Sequence, residues 1–203
     1  MAEDRNRHDN EKTTGQQRFL WEMMNEDIKL RPAQPDDAER ASALLRSAYT
    51  HIQLNYPLQE EAEIQWTERL QHFFREDGNR FSYQFIQVAE QGGEVVGLIL
   101  SFGGRDEVRL NAATGWRLER EAHDDEWYVD AVAVFTDWGR KGIGTRLLQY
   151  VEVQGRQQHY PKIALNVAKE NKQALSLYQR LHYVITQETV IYHQPHVRLV
   201  KKL

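Results

Sequence analysis

The stretch from Trp127 to Leu148 constrains the fold of this chain more than any other part of its sequence. Aromatic and β-branched side chains predominate in Trp127–Phe135, as they do in buried strands. A glycine-spaced loop, Gly139–Gly144, comes next, and a helical apolar period then runs through Ile143, Leu147, Leu148 and Val151. The first turn of a helix offers unpaired N–H groups and partial positive charge, and glycine lets an anion approach the backbone closely. The order strand, glycine loop, helix therefore predicts a phosphate-binding loop.

Two common phosphate-binding motifs do not match this loop. A Walker A loop needs Lys and Ser or Thr after its last glycine, whereas Thr145 and Arg146 follow Gly144. A dinucleotide fingerprint reads Gly-x-Gly-x-x-Gly early in a βαβ unit, whereas here the spacing is reversed and lies late in the chain. An ordinary glycine-containing turn between a strand and a helix is the alternative that stays open.

A second informative stretch runs from Leu165 to Tyr183. It indicates the end of a strand, then a helix over Asn171–Leu181 that presents an apolar stripe. Asn171 is a favourable N-cap residue whether or not it meets a ligand. Tyr178 on its own is typical of a helix-face aromatic residue in the core. The stripe consists of Ala174, Leu175, Leu177, Tyr178 and Leu181.

Together the two stretches resemble the GNAT superfamily of acetyl-CoA-dependent N-acetyltransferases. The cofactor motif of that family is Arg/Gln-x-x-Gly-x-Gly/Ala, and Gly142-Ile143-Gly144 matches its second half. Gly139 stands where Arg or Gln is usual, and Arg140 is displaced by one position. The second stretch matches the family at Asn171, Ala174 and the pair Leu177-Tyr178, whereas His182-Tyr183 replaces the usual Gly-Phe. The resemblance covers residues 28–203, and its specific part is 127–183.

The patterns and the resemblance predict one α/β (α+β) domain. It has a central mixed, mostly antiparallel sheet of about seven strands flanked by about four helices, in the order β-αα-β-β-β-α-β-α-β-β. We expect residues 1–25 to form a partly disordered tail, because Met1–Gln17 is polar and without period, although Phe19–Met24 is apolar enough to pack on the domain. The domain then spans 26–203. Gly103–Asp125 is predicted to be a long loop.

The resemblance implies transfer of an acetyl group from acetyl-CoA to an amine. Tyr178 is then the candidate hydrogen-bond donor or general acid toward the thiolate, and the N–H of Val134 is the candidate oxyanion donor. Asp130 is the first candidate for a general base, because strict alternation puts it on the strand face of Val132 and Val134. Glu126 is the second candidate, and a structural salt bridge is the alternative role for Asp130. The implied cofactor-binding residues are Val132, Ala133, Val134, Gly139, Arg140, Lys141, Gly142, Ile143, Gly144, Thr145, Asn171 and Tyr178.

The acceptor is expected to be a small-molecule or peptide amine. By resemblance, the first two helices and the loop between them, His51–Pro57, wall the acceptor site. The 103–125 segment is a candidate for another wall. Asp124-Asp125-Glu126 would attract a cationic amine, and a solvated turn before a strand is the alternative for this triplet. The formal net charge of −4 argues against nucleic acid, and no apolar run is long enough for a membrane helix. The chain has no cysteine, which fits a cytoplasmic location, and its histidines lack metal-ligand spacing. A homodimer through terminal strands is expected by analogy only.

Two other functions stay open. One is a non-catalytic acyl-CoA-binding or regulatory module on the same fold. The other is a protein-interaction module with a decayed site, which the departures at Gly139 and His182 favour.

Overall fold

The computed structural model describes residues 28–49, 60–116 and 118–203, with residues 60–64 described as backbone only. The predicted tail, the apolar segment Phe19–Met24 and the predicted acceptor loop His51–Pro57 lie outside these residues.

Seven strands form one sheet in the order β1-β2-β3-β4-β5-β7-β6. Only β4 and β5 run parallel, and every other neighbouring pair is antiparallel. The predicted mixed, mostly antiparallel sheet is therefore confirmed. The strands are β1 Lys29–Pro32, β2 Ile86–Gln91, β3 Glu94–Gly103, β4 Glu126–Val134, β5 Lys162–Ala168, β6 Val184–Ile191 and β7 Gln194–Lys202.

The described residues contain five α-helices: α1 Ala38–Tyr49, α2 Glu60–Arg75, α3 Glu107–Ala112, α4 Ile143–Gln157 and α5 Lys172–Arg180. The sequence predicted four of them and interpreted the region of α3 as loop. A helix of six residues is too short to show an apolar period. It is stabilised instead by tertiary contacts, because the buried Glu107 carboxylate accepts N–H groups from Glu121 and Ala122 at 2.8–3.1 Å.

The helices cover both faces of the sheet and give two separate cores. One core joins α1, α2 and α3 to one face, around Leu44, Phe74 and Phe102. The other joins α4 and α5 to the opposite face, around Leu147, Val151 and Tyr178. Between them β3 is buried along nearly its whole length, which accounts for its almost continuous apolar sequence. No helix in the described ranges has the length and apolar character needed to cross a bilayer.

Connectivity around the parallel pair determines where a ligand can bind. Two parallel strands need a crossover connection, and α4 provides it between β4 and β5. The N-termini of α4 and α5 therefore both lie beyond the carboxyl ends of this strand pair, which is the usual ligand position in open α/β sheets. Helix α4 packs closely on β4, since a Cβ atom built at Gly155 would lie 2.6 Å from Leu203 Cδ1 and 3.0 Å from Trp127 Cβ.

Candidate active site

The glycine loop presents a run of backbone donors that have no acceptor in the part of the chain that the structure describes. After β4 the chain makes a short turn at Thr136–Trp138, and α4 begins at its N-cap residue Gly142 with φ +78°. Arg140 also adopts a positive φ, +59°, which turns the loop back on itself. Within the described residues no hydrogen bond engages the N–H groups of residues 140–145. Such a concave set of donors at a helix N-terminus is suited to an anion.

The two glycines of this turn have different reasons to be there. Gly142 needs its positive φ, which is strained for any residue with a side chain. Gly144 lies in the first turn of α4, and a Cβ atom there would meet only Leu177 Cδ2, at an ordinary 3.5 Å. Packing therefore does not require glycine at position 144. A glycine there does keep the free N–H groups open to a ligand.

Basic side chains surround the loop. The Nζ atom of Lys141 lies 4.1 Å from the centre of the Trp138 ring. Arg140 is exposed, and Arg146 donates to the Ile28 carbonyl at 2.9 Å, which ties the start of α4 to the start of β1. These three cations give the loop a local positive charge that the whole chain, at −4, does not have.

Beside the loop, β4 and β5 separate. Their pairing ends at Val129 and Leu165, although β4 continues to Val134 and β5 to Ala168. On its other edge β4 stays paired with β3, and the Phe135 N–H donates to Val96 O at 3.0 Å. N–H groups along a strand alternate between its two edges. Those of Val132 and Val134 therefore point into the gap toward β5, and that of Ala133 points to β3.

The second sequence motif meets the first at the start of α4. Asn171 caps α5 by accepting the Ala174 N–H at 3.0 Å. Leu177 on α5 is the residue that faces Gly144. Its neighbour Tyr178 is buried, with its ring centre 5.9 Å from that of Tyr183. Burial raises the pKa of Tyr178 well above its ordinary value.

The expectation that Asp130 shares a strand face with Val132 and Val134 is wrong. Leu100 of β3 lies opposite Ala131 and Ser101 lies opposite Val129, so Asp130 is the extra residue of a β-bulge. The bulge resets the alternation. Val132 and Val134 pack with the α4 core, whereas the Asp130 carboxylate points the other way, to Tyr49 and Arg80.

Glu126, the second candidate base, lies at the opposite end of β4. It lies eight positions before Val134, about 26 Å along the strand at ~3.3 Å per residue. Its buried carboxylate is ion-paired with Arg198 and lies 3.5 Å from Lys162 Nζ. His123, Asp125 and Glu126 bring three potential metal ligands within 4.8 Å of one another, a cluster that the sequence spacing did not indicate. Lys162 and Arg198 already supply positive charge to these carboxylates.

Sequence reasoning missed a polar cluster on the α1/α2 face of the gap. Glu121 accepts from Tyr128 Oη at 2.7 Å and from Asn166 Nδ2 at 3.3 Å. Arg80 Nη2 reaches the other Glu121 oxygen at 3.2 Å. These residues come from separate segments of the chain and no local period connects them, so only the folded structure brings them together.

Comparisons with known proteins agree with this geometry. The family profile described as Acetyltransferase (GNAT) family matches residues 43–183, which include both motifs. No curated protein sequence matches the chain.

Solved structures share the fold. An N-acetyltransferase from Staphylococcus aureus Mu50 is 24% identical, covers 85% of this chain and 100% of its own, and superposes with a TM-score of 0.76. YncA from Salmonella typhimurium, solved with its cofactor acetyl-CoA, is 16% identical over 87% of this chain and 94% of its own, with a TM-score of 0.58. PaiA N-acetyltransferase from Thermoplasma acidophilum, in complex with coenzyme A, is 14% identical over 87% and 99%, with a TM-score of 0.57.

Proposed function

The chain belongs to the GNAT acetyltransferase family, and on that premise we propose that it transfers the acetyl group of acetyl-CoA to the primary amine of a small molecule or a peptide. The amine attacks directly while both substrates are bound. The observation that carries this proposal is the run of free N–H groups at residues 140–145 beside the gap between β4 and β5.

The loop is suited to the pyrophosphate of CoA. A pyrophosphate carries several acceptor oxygens and negative charge, and the N-terminus of a helix complements both. Gly142 and Gly144 let the phosphates approach the main chain, while Arg140 and Lys141 add charge. The N–H groups of residues 140–145 would then bind the phosphate oxygens, a role that an Arg or Gln at position 139 shares in relatives.

The gap is suited to the thioester end of the same molecule. Acetyl-CoA supplies the activated acyl group, and the residues of this chain hold and polarise it. The N–H groups of Val132 and Val134 point into the gap, and Val134 is the proposed donor to the negative charge that develops on the carbonyl oxygen. A preorganised donor of this kind contributes about 10²- to 10³-fold to a rate.

Tyr178 is proposed to donate a hydrogen bond to the departing sulfur. Since burial raises the pKa of Tyr178, its phenol stays protonated and is a poor source of a whole proton. It therefore stabilises the developing thiolate without complete proton transfer. Asn171 supports this arrangement by fixing the start of the helix that carries Tyr178.

We propose no strong general base. An alkylamine has an ordinary pKa of about 10, so a small neutral fraction is present at neutral pH and can bind directly. Asp130 and Glu126 each already face an arginine. The acidic character of the α1/α2 face raises the local concentration of the amine as a cation, which loses a proton to water before the neutral amine attacks.

Two measurements test the proposal. Calorimetry with CoA tests the loop, and thiol release from acetyl-CoA across cationic amines and short peptides tests the reaction. Absence of CoA binding at millimolar ligand would end the proposal. Binding without turnover on any amine would instead support the non-catalytic acyl-CoA-binding module.

A further inference from the structure

Asp130 stands where the sheet opens. It is the extra residue of the bulge in β4, and the last β4–β5 pair, Val129 with Leu165, immediately precedes it. A bulge bends its strand and increases the local twist. The direction in which Val132 and Val134 present their N–H groups therefore depends on how this bulge is held.

Two side chains hold the Asp130 carboxylate. Arg80 Nε donates to Oδ2 at 2.9 Å and Arg80 Nη2 donates to Oδ1, a two-pronged contact. The Tyr49 hydroxyl donates to Oδ2 at 2.7 Å. The side chains of Arg80 and Asp130 are only 3% and 2% exposed. Burial alone would lower the pKa of Arg80, but the charge and hydrogen bonds of Asp130 outweigh it and the pKa is raised, so the guanidinium stays charged.

Arg80 is itself fixed from several directions. Its Nη1 donates to Asn111 Oδ1 at 3.0 Å and lies 3.3 Å from Glu107 Oε1. Its backbone N–H donates to Leu110 O at 3.2 Å. The guanidinium also lies 5.5 Å from the centre of the Phe102 ring. An arginine held at this many points is a rigid anchor for Asp130.

We propose that Arg80 is a positioning residue for acetyl transfer, acting through Asp130 to hold the β4 bulge and so to aim the N–H groups of Val132 and Val134 into the gap. This inference rests on the proposed function. Tyr49 ends α1 and binds the same carboxylate, so it ties the acceptor side of the domain to the cofactor strand. Asp130 is then an anchor point and not a proton acceptor.

Arg80→Lys keeps the charge and removes the two-pronged contact. We expect kcat to fall about 10- to 100-fold, since small displacements of oriented groups have effects of this size. The Kd for CoA, which the distant pyrophosphate loop dominates, should change by less than about threefold. The matched control is Arg31→Lys, which removes a comparable two-pronged contact, with Asp37 at the β1 edge of the sheet, and does not touch Arg80 or Asp130. It should lower thermal stability and leave kcat within about twofold.

A pH–rate profile separates positioning from base catalysis. Asp130→Asn should lower kcat like Arg80→Lys and leave the shape of the profile unchanged. A different result is that the wild type and Arg80→Lys both show an acidic limb that Asp130→Asn lacks. That result would make Asp130 the base and overturn the proposal. Unchanged kcat in both variants would overturn it too. Should Arg80→Lys not fold, Tyr49→Phe, which loses one hydroxyl and keeps its ring on Phe81, should still lower kcat measurably.

Amide resonances give a readout that does not need activity. In Arg80→Lys the N–H signals of Val132 and Val134 should shift, and those of α5 should not. Unchanged amide chemical shifts of Val132 and Val134 in this variant would refute the positioning role of Arg80. If the wild type binds no CoA, the proposed function fails by itself, and the amide shifts still decide whether Arg80 sets the strand.

Discussion

At the scale of single residues, Gly144 offers the clearest test of whether the loop serves a ligand. A helix with glycine at an interior position is less stable than the same helix with alanine there, by about 1 kcal/mol. Nothing in the surrounding packing compensates, because a Cβ atom at this position would make only an ordinary contact with Leu177. Glycine at position 144 therefore lowers stability without a packing reason, and substitution by alanine tests whether ligand binding is the reason.

Gly144→Ala should raise the free energy of unfolding by about 0.5 to 1 kcal/mol. It should weaken CoA binding at least about tenfold, because a methyl group would stand between the amides and a phosphate. Urea unfolding and calorimetry with CoA measure the two effects. A variant that is more stable and binds CoA as the wild type does would remove Gly144 from the site.

Tyr178→Phe isolates the hydroxyl at the proposed leaving group. The ring is buried against Tyr183 and should keep its packing. We expect kcat to fall about 10²-fold, with the Kd for CoA nearly unchanged, because the hydrogen bond strengthens only as the thiolate forms. Steady-state kinetics and CoA titration check this prediction. Equal kcat values for the two proteins would mean that Tyr178 has only a packing role.

At the scale of elements, sequence periodicity predicted what long patterns can specify. The seven strands and four of the helices have enough alternating or helical positions to be recognised, and the glycine loop after β4 was anticipated. The helix α3 was missed because one turn and a half is too short to show a helical period. The bulge was missed because a single inserted residue leaves no pattern of its own. That single residue also put Asp130 on the wrong face, which shows how sensitive strand arguments are to register.

The replacement of the family glycine by His182 shows that a backbone conformation can persist without the residue type that predicts it. The sequence indicated that the end of α5 must accommodate a side chain there. His182 does so in the left-handed region, with φ +66°. The motif kept its backbone geometry while losing the residue that normally marks it. This departure at position 182 therefore gives no support to a decayed site.

Gly155 is the structural counterpart of Gly144 on the same helix. A Cβ atom at 155 would lie 2.6 Å from Leu203 Cδ1, the end of a side chain that can turn away, and 3.0 Å from Trp127 Cβ, which β4 holds in place. Helix α4 would therefore have to shift from β4 by a few tenths of an ångström. Gly155→Ala should lower the free energy of unfolding by about 1 to 3 kcal/mol, as overpacking does. Urea unfolding should show that Gly155→Ala lowers the free energy of unfolding, whereas Gly144→Ala raises it. If both substitutions raised the free energy of unfolding, helix propensity alone would determine the effect at both positions.

At the scale of the whole molecule, the two faces of the sheet carry different chemistry. The α4/α5 face holds the loop, its cations and Tyr178. The α1/α2 face holds a buried polar network around Arg80, in which three carboxylates surround one guanidinium. No sequence pattern predicts such a network, because its members meet only after the sheet has formed. An excess of buried negative charge on one face and a cationic loop on the other would separate amine from phosphate.

Buried tyrosines on both faces make the fold sensitive to alkali. Burial raises the pKa of Tyr49, Tyr128, Tyr178 and Tyr183, and nearby carboxylates raise it further for all but Tyr178. Below pH ~10 both the folded and the unfolded chain keep these phenol protons, so the contribution to stability is complete. Above pH ~10 the unfolded chain releases protons that the folded chain retains, and the free energy of unfolding falls as pH rises.

Each such tyrosine adds about 1.4 kcal/mol per pH unit to the slope above pH ~10, so four give at most about 5.6 kcal/mol per pH unit. Urea unfolding at several pH values between ~8 and ~11 measures this slope. Tyr183→Phe, which stays buried in the α4/α5 core, should reduce it by one tyrosine's share and leave stability at neutral pH nearly unchanged. A slope that is the same in both proteins would mean that Tyr183 ionises as readily in the folded chain as in the unfolded one. Its burial would then not exclude the phenolate, and the same question would have to be asked of Tyr178.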